Sequence, residues 1–182
     1  MLSQKEVIAH VYRQYKQTDT LVQTNGYFSL NLTKASVEKI IDLMNFGSDV
    51  EETCAWIGCG DAREVLCLAT LYPHVKFFAN DINESAIHVA KEKLKKLNLQ
   101  NIQIEFKNAF DINEKFTHVY STAIAGDMLY QHIQKLSDKD ICMLSTMWRN
   151  LEDAYFDERK AQVTISGSGE KKTLCKRTKQ LT

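Results

Sequence analysis

The feature that most constrains this chain is an apolar strand that breaks into a glycine turn. Residues 54–57 form an apolar run that is followed at once by Gly58-Cys59-Gly60. Neither glycine carries a Cβ, so the backbone there can turn sharply and lie close to a ligand. The next apolar run along the chain ends at Asp81, and an acid at that strand tip can accept hydrogen bonds from a ribose diol. Together these features predict a nucleoside site in a doubly wound sheet.

Size and composition are those of a single-domain globular protein. The 182 residues, 44% hydrophobic and 25% charged, suffice for one sizeable core. The formal net charge is zero, so the chain as a whole has no bulk attraction for nucleic acid or an anionic membrane. Five cysteines without Cys-x-x-Cys spacing predict buried free thiols and no metal site. Without an apolar leader or membrane-length run, we expect a cytoplasmic protein with no membrane partner.

Apolar periodicity predicts helices and strands that alternate along most of the chain. This alternation is typical of a parallel α/β sheet, whose crossover connections are right-handed. The predicted strands span 53–57, 75–80, 102–106, 118–122 and 141–147. The predicted helices span 4–17, 34–44, 65–71, 85–97 and 128–136.

The end of the chain departs from this alternation. Strand-like runs at 161–166 and 172–177 flank a Gly-Ser-Gly turn, which predicts an antiparallel hairpin. We therefore expect a Rossmann-like α/β fold: a mostly parallel seven-stranded sheet, closed by that hairpin, with helices on both faces. This layout is typical of methyltransferases rather than dehydrogenases. One domain is predicted over 1–182, with 1–33 as an N-terminal helix and substrate-side segment and 34–182 as the catalytic core.

The predicted cofactor site lies at the carboxyl ends of the strands. Backbone N–H groups from Cys59 to Ala62, at the start of a helix, are expected to face a cofactor carboxylate. Asp81 is the ribose candidate, and its alternative role is to cap the helix that begins near Asn83. The full set of predicted cofactor-binding residues is Trp56, Gly58, Cys59, Gly60, Asp61, Arg63, Asp81, Ile82, Asn108, Ala109, Phe110 and Ser121.

Several of these residues have a structural alternative. Asn108 follows the third strand, where an adenine would lie, and either bonds its exocyclic amine or serves as a loop asparagine. Phe110 either covers the ring or caps the core. Asp61 and Arg63 are expected to pair locally, or Arg63 reaches the cofactor carboxylate instead.

The acceptor side is predicted at the end of the fourth strand, where Ser121 and Thr122 border the reacting group. Neither hydroxyl is a strong base. The chain has no Asn-Pro-Pro-Tyr-like motif, which argues against an adenine or glutamine amide nitrogen as the acceptor. The histidines show no partner pattern, so we interpret them as surface or core residues.

The run Gly-Cys-Gly-Asp-x-Arg at 58–63 is similar to the small seven-stranded protein-lysine methyltransferases of archaea. These are related to the non-SET histone-lysine methyltransferases of the disruptor-of-telomeric-silencing type. The resemblance extends over residues 25–182 and includes the helix before the first strand and the closing hairpin. It implies a class I methyltransferase that uses S-adenosylmethionine and methylates protein lysine. RNA and small molecules are the alternative acceptors.

Trp56 departs from the family pattern. An acid usually ends the first strand at this position and supports the cofactor's ammonium or the loop, and the third glycine of the pattern is Ala62 here. An aromatic residue at this position also occurs in nicotianamine-synthase-like enzymes, which transfer an aminocarboxypropyl group. Two further alternatives are therefore that reaction and a non-catalytic cofactor-binding protein.

Lysine methylation needs a neutral amine, which is about 0.04% of a free lysine at pH 7. An apolar, aromatic channel raises that fraction by disfavouring the ammonium. The resemblance makes Tyr27, Phe28 and Tyr120 the aromatic candidates, each with core packing as its alternative, and the predicted catalytic set is Tyr27, Tyr120 and Thr122. The basic stretch 171–179 is expected to be the solvated edge of a terminal strand, or else a surface for an acidic partner or RNA.

Overall fold

The structure, a computed structural model, describes residues 1–16, 31–48, 50–122, 126–148, 155–166 and 168–179. Within these ranges the α-helices are α1 (Gln4–Tyr12), α2 (Lys34–Met44), α3 (Arg63–Leu71), α4 (Glu84–Leu97) and α5 (Asp127–Leu136). The strands are β1 (Thr53–Ile57), β2 (Lys76–Asp81), β3 (Ile102–Phe106), β4 (Phe116–Ser121), β5 (Ser137–Leu144), β6 (Tyr155–Thr164) and β7 (Lys171–Lys179). None of the helices in this part of the chain is long and apolar enough to cross a bilayer.

All seven strands form one sheet in the order β3-β2-β1-β4-β5-β7-β6. The pairs among β1 to β5 are parallel, and β7 runs antiparallel to both β5 and β6. Helix α2 packs against β6, whereas α5 packs against β4 and β5. The predicted Rossmann-like sheet with its closing hairpin is therefore confirmed.

Capping residues fix the starts of α2 and α4 and the end of α4. The side chain of Thr33 accepts a hydrogen bond from Ser36 N at the start of α2, and Asn83 accepts one from Ala86 N at the start of α4. Asn98 ends α4 in the left-handed region, where asparagine is tolerated better than most residues. The apolar stripes of both helices then face the core.

Strands β1 and β3 have the predicted bounds, but the strands near the C-terminus are longer or displaced. The fifth strand, predicted at 141–147, covers Ser137–Leu144, and a 3₁₀-helix follows at Ser145–Trp148. The displacement has a physical cause: the strand runs through charged residues, of which Asp140 is buried because His118 and Lys176 lie against its carboxylate. A search for apolar runs does not detect such a strand.

These buried charges form a cluster around His118. Its Nδ1 lies 2.9 Å from Asp140 Oδ2, and its Nε2 lies 3.1 Å from Glu52 Oε1. Lys176 Nζ is 3.5 Å from the same Asp140 oxygen and donates to Met44 O at 2.7 Å. Burial acts to raise the pKa of Asp140, but hydrogen bonds from His118 and Thr178 and the charge of Lys176 outweigh it and lower that pKa. The cluster ties β4, β5 and β7 to one another and to Glu52, the residue just before β1.

Candidate functional site

The glycine turn after β1 has the backbone that its sequence predicts. Gly58 and Gly60 have φ angles of 72° and 56°, a region that glycine enters without steric cost. Ala62, at the start of α3, also has a positive φ of 64°, which costs a residue with a Cβ roughly 1–2 kcal/mol. The turn is therefore strained at the place where the family pattern has its third glycine.

Internal hydrogen bonds hold this turn in place. Cys59 N donates to Asn80 O at 2.8 Å, and Ala62 N donates to Cys59 O at 2.9 Å. Gly60 N donates to Asp81 Oδ2 at 2.7 Å. Three of the four N–H groups expected to face a cofactor carboxylate thus donate to acceptors within the protein. They fix the shape of the turn instead.

Asp81 lies at the tip of β2, beside the glycine turn, as its spacing in the sequence predicts. Its Oδ1 accepts from Asn83 N at 2.8 Å, while its Oδ2 accepts from Gly60 N. A carboxylate oxygen has two lone pairs, so each oxygen keeps one acceptor position. The alternative cap role falls to Asn83, which is the N-cap of α4. Asp81 joins the turn to the helix start while its carboxylate stays half-buried.

Trp56 and Tyr120 are register partners on β1 and β4. Their rings stack with centroids 3.6 Å apart and an interplanar angle of 20°, and the residues are 2% and 1% exposed. Burial raises the pKa of Tyr120 well above its ordinary value. The indole that replaces the usual acid is therefore part of the core. The prediction that Tyr120 lines an acceptor channel gains no support from this position.

Asp61 and Arg63 form the predicted local pair. Arg63 Nε lies 3.0 Å from Asp61 Oδ1, its NH2 group bonds Asp61 Oδ2, and both residues are buried. Burial acts to lower the pKa of Arg63, but Asp61 outweighs it and raises that pKa. The Arg63 guanidinium lies 4.5 Å from the ring centroid of Tyr15 and 5.6 Å from that of Tyr12. It therefore contacts the N-terminal segment.

The loops after β2 and β3 each present an apolar side chain at the edge of the sheet where Asp81 lies. Asn108 accepts from Phe110 N at 3.0 Å and caps a 3₁₀-helix at Ala109–Asp111. Phe110 is 46% exposed, and Ile82, which follows Asp81, is 43% exposed. Two large apolar side chains are thus accessible to solvent, Ile82 directly after Asp81 and Phe110 in the loop after β3, the strand that pairs with β2.

Two polar residues that the sequence analysis did not single out hold this loop. His132 Nε2 lies 3.0 Å from both Ala109 O and Ile112 O, so α5 is fastened to the loop. Asn80 donates from Nδ2 to Lys107 O at 2.9 Å, while its buried Oδ1 has no hydrogen-bond partner among the described residues. A buried acceptor of this kind is satisfied by water or by a donor on a ligand. No local sequence pattern identifies either contact.

At the end of β4, Ser121 is fully buried and its Oγ donates to Ile57 O at 3.1 Å. This bond joins β4 to the last residue of β1. Thr122, next along the chain, is half-buried. Tyr27 and Phe28 lie outside the described residues, so their predicted roles remain predictions.

Glu64, in the first turn of α3, is a buried carboxylate that the sequence analysis also missed. It is 5% exposed, and its Oε1 accepts from Leu32 N at 3.0 Å. Burial raises its pKa to about 7, and the charge of Asp61 acts in the same direction. The hydrogen bond from Leu32 and the charge of Arg63 oppose the shift. Glu64 therefore titrates near neutral pH beside the glycine turn.

We expect Glu64→Gln to flatten the pH dependence of stability. The folded pKa of Glu64 lies above its ordinary value of 4.5, so stability falls as pH rises from that value through about 7. Glutamine keeps an acceptor for Leu32 N and does not titrate. Urea unfolding at about pH 5 and about pH 8 measures this effect. Between these two pH values the free energy of unfolding should fall by about 2–3 kcal/mol more in the wild type than in the variant. Equal losses in the two proteins would contradict the assignment.

Comparisons with known proteins agree on the fold. Residues 57–163, well over half of the chain, match the family described as methyltransferase domain. Magnesium protoporphyrin IX methyltransferase from Synechocystis PCC 6803, with bound SAM, is 14% identical; the match covers 99% of each chain with a TM-score of 0.67. The N-methyltransferase NodS from Bradyrhizobium japonicum WM9, in complex with S-adenosylhomocysteine, is 12% identical over 96% of this chain and 99% of that one, with a TM-score of 0.67.

Coclaurine N-methyltransferase, bound to N-methylheliamine and S-adenosylhomocysteine, is 10% identical over 89% of this chain and 68% of that one, with a TM-score of 0.63. No curated protein sequence matches the chain. The family match covers the glycine turn, Asp81 and the strands β2 to β5. The chain therefore belongs to the methyltransferase domain family, the seven-stranded enzymes that use S-adenosylmethionine.

Proposed function

We propose that this methyltransferase acts on the side-chain amine of lysine in a protein. The observation that carries the cofactor half of the proposal is the bond from Gly60 N to Asp81 Oδ2, because it joins the glycine turn to the ribose candidate. The lysine half is supported by the Gly-Cys-Gly-Asp-x-Arg run at 58–63.

The residues at this edge fit an adenosyl sulfonium. The remaining acceptor positions of Asp81 suit the hydroxyls of a ribose. Ile82 and Phe110 offer apolar surface for a purine, and Asn108 and Asn80 carry amide groups close to the same loop. When bound, S-adenosylmethionine supplies an electrophilic methyl group on sulfur. We assign Gly58 and Gly60 the role of letting the cofactor lie close to the backbone of the turn, because neither residue has a Cβ.

The acceptor residues follow from the chemistry of the amine. A lysine of ordinary pKa pays roughly 4.6 kcal/mol to become neutral at pH 7, and apolar surroundings offset part of that cost. Alignment of the amine with the methyl group supplies further acceleration, so no strong base is required. We assign Thr122 to the border of the methyl group and keep Tyr27 as an aromatic candidate. Tyr120 is left out because its ring is 1% exposed and stacks on Trp56.

Labelled cofactor tests the acceptor directly. The protein is incubated with methyl-tritiated S-adenosylmethionine and a mixture of protein, RNA and small molecules, which are then separated. We expect the label in protein, recovered as methyl-lysine after hydrolysis, and its loss with the Asp81→Ala variant. Label in RNA or small molecules instead would contradict the lysine assignment. Transfer from carboxypropyl-labelled cofactor would reveal the aminocarboxypropyl reaction.

A small-molecule amine is the second candidate. Two of the similar structures are N-methyltransferases by name, NodS and coclaurine N-methyltransferase, and the latter is bound to N-methylheliamine. This candidate predicts that label from the same experiment appears in the low-molecular-weight fraction when a cell extract is the acceptor mixture. The absence of any transfer, together with retained binding of S-adenosylhomocysteine, would favour a non-catalytic cofactor-binding protein.

A further inference from the structure

We infer that Tyr15 is a positioning residue for cofactor binding, because its hydroxyl holds the backbone of the glycine turn in the shape that a cofactor needs. The Tyr15 hydroxyl donates to Asp61 O at 2.7 Å, although 46 residues separate the two in the chain. Asp61 follows Gly60, whose N–H is held by Asp81. The turn is thus fixed from two sides, by a carboxylate at the tip of β2 and by a phenol from the N-terminal segment.

The ring of Tyr15 is itself held in place by cations. Arg63 lies 4.5 Å from its ring centroid, and Lys93 Nζ, from α4, lies 5.7 Å from it. Because Arg63 also pairs with the side chain of Asp61, the contacts form a closed circuit. The circuit runs from the Asp61 carbonyl to the Tyr15 hydroxyl, from the ring to Arg63, and back to the Asp61 carboxylate. Burial raises the pKa of Tyr15, so its hydroxyl remains a donor at neutral pH.

Ala62 explains why the turn needs such support. Its φ of 64° lies in the left-handed region, which a residue with a Cβ rarely adopts. The carbonyl that Tyr15 binds belongs to Asp61 and therefore to the peptide that precedes Ala62. Fixing that carbonyl opposes rotation of the strained peptide away from its observed conformation. Where glycine would adopt the turn without strain, this chain has alanine and a tyrosine that holds the peptide.

Tyr12, the last residue of α1, provides a matched control three residues before Tyr15. Its hydroxyl also donates to a backbone carbonyl, Leu32 O, at 2.8 Å, and its ring also lies near Arg63. It makes no hydrogen bond to the glycine turn among the described contacts. Tyr12→Phe and Tyr15→Phe therefore each remove one hydroxyl and one hydrogen bond to a backbone carbonyl. They differ in whether that carbonyl belongs to the turn.

The test is calorimetric titration of S-adenosylhomocysteine into the wild type, the two phenylalanine variants, Ala62→Gly and the double variant that combines Tyr15→Phe with Ala62→Gly. We expect Tyr15→Phe to raise the dissociation constant about five- to tenfold, and Tyr12→Phe to leave it within about twofold of the wild type. The midpoint temperature of thermal unfolding should fall by a similar amount in both variants, because each loses one hydrogen bond. In the Ala62→Gly background, Tyr15→Phe should have a smaller effect, because the turn no longer needs to be held against strain.

The inference is overturned if Tyr15→Phe binds as the wild type does, or if Tyr12→Phe weakens binding equally. If Tyr15→Phe does not fold, Arg63→Lys tests the same circuit, since it keeps the charge but loses the bidentate pair that seats the ring. Unchanged binding by that variant would also overturn the inference.

The inference rests on the cofactor site proposed at the glycine turn. A wild type that does not bind S-adenosylhomocysteine would refute that site, whereas a wild type that binds with no selective effect of Tyr15→Phe would refute only the inference.

Discussion

His118→Phe is expected to lower the free energy of unfolding by about 3 kcal/mol, the upper end of the cost of removing a hydrogen-bond partner from a buried polar group. The imidazole lies between the carboxylates of Glu52 and Asp140, which are 4% and 2% exposed. Phenylalanine keeps a ring of similar size against Phe46, which contacts His118 edge-on. The loss should therefore report the contacts of the imidazole with the two carboxylates rather than a cavity, while Asp140 keeps Lys176 as its other partner.

Urea unfolding followed by circular dichroism measures this loss, and a surface ion pair provides the control. Lys76 pairs with Glu51, and both side chains are about 70% exposed, at 69% and 71%. Lys76→Met should cost less than about 1 kcal/mol, as exposed pairs do. Comparable losses for the two variants would mean that the charges around His118 are not paired in the folded protein.

Asp81→Ala is expected to weaken binding of S-adenosylhomocysteine by about a hundredfold, roughly the energy of charge-assisted hydrogen bonds. The variant loses the proposed ribose acceptor and also releases Gly60 N from Asp81 Oδ2. Asp81→Asn retains one acceptor oxygen, so it should bind with intermediate affinity. Calorimetric titration of the two variants gives the comparison.

Asp111→Ala is the matched control for this prediction. Asp111 is an exposed carboxylate that ends the 3₁₀-helix after β3, at the same edge of the sheet. Its removal should change affinity by less than about twofold. If Asp81→Ala binds as well as Asp111→Ala does, the ribose assignment is wrong.

The fold was predictable where apolar periodicity and tertiary packing agree. The runs of β1 and β3 are apolar or alternating, and their bounds were predicted as observed. Prediction was less accurate where a charged residue is buried with partners that are distant in sequence. Asp140 lies inside β5, and Lys93 on α4 is 1% exposed with its ammonium near the Tyr15 ring. The partners of Asp140 and Lys93 cannot be identified from the residues next to them in the sequence.

The candidate site was predictable in its local part only. The approach of Asp81 to the glycine turn follows from parallel register, because the carboxyl ends of adjacent strands lie together. The stack of Trp56 on Tyr120 depends on the pairing of β1 with β4, and the bond from Tyr15 to Asp61 joins segments with no shared pattern. Long-range contacts of this kind are set by packing, which a single sequence does not display.

A crystal structure with S-adenosylhomocysteine tests the central claim most directly, namely that the turn after β1 and the tip of β2 hold the nucleoside. We predict density for the nucleoside at this edge, with the ribose hydroxyls bonded to Asp81 and the purine against Ile82 or Phe110. Density for the ligand at another place would contradict the account. So would a structure determined at a saturating concentration of S-adenosylhomocysteine that shows no ligand and the same glycine turn as described above.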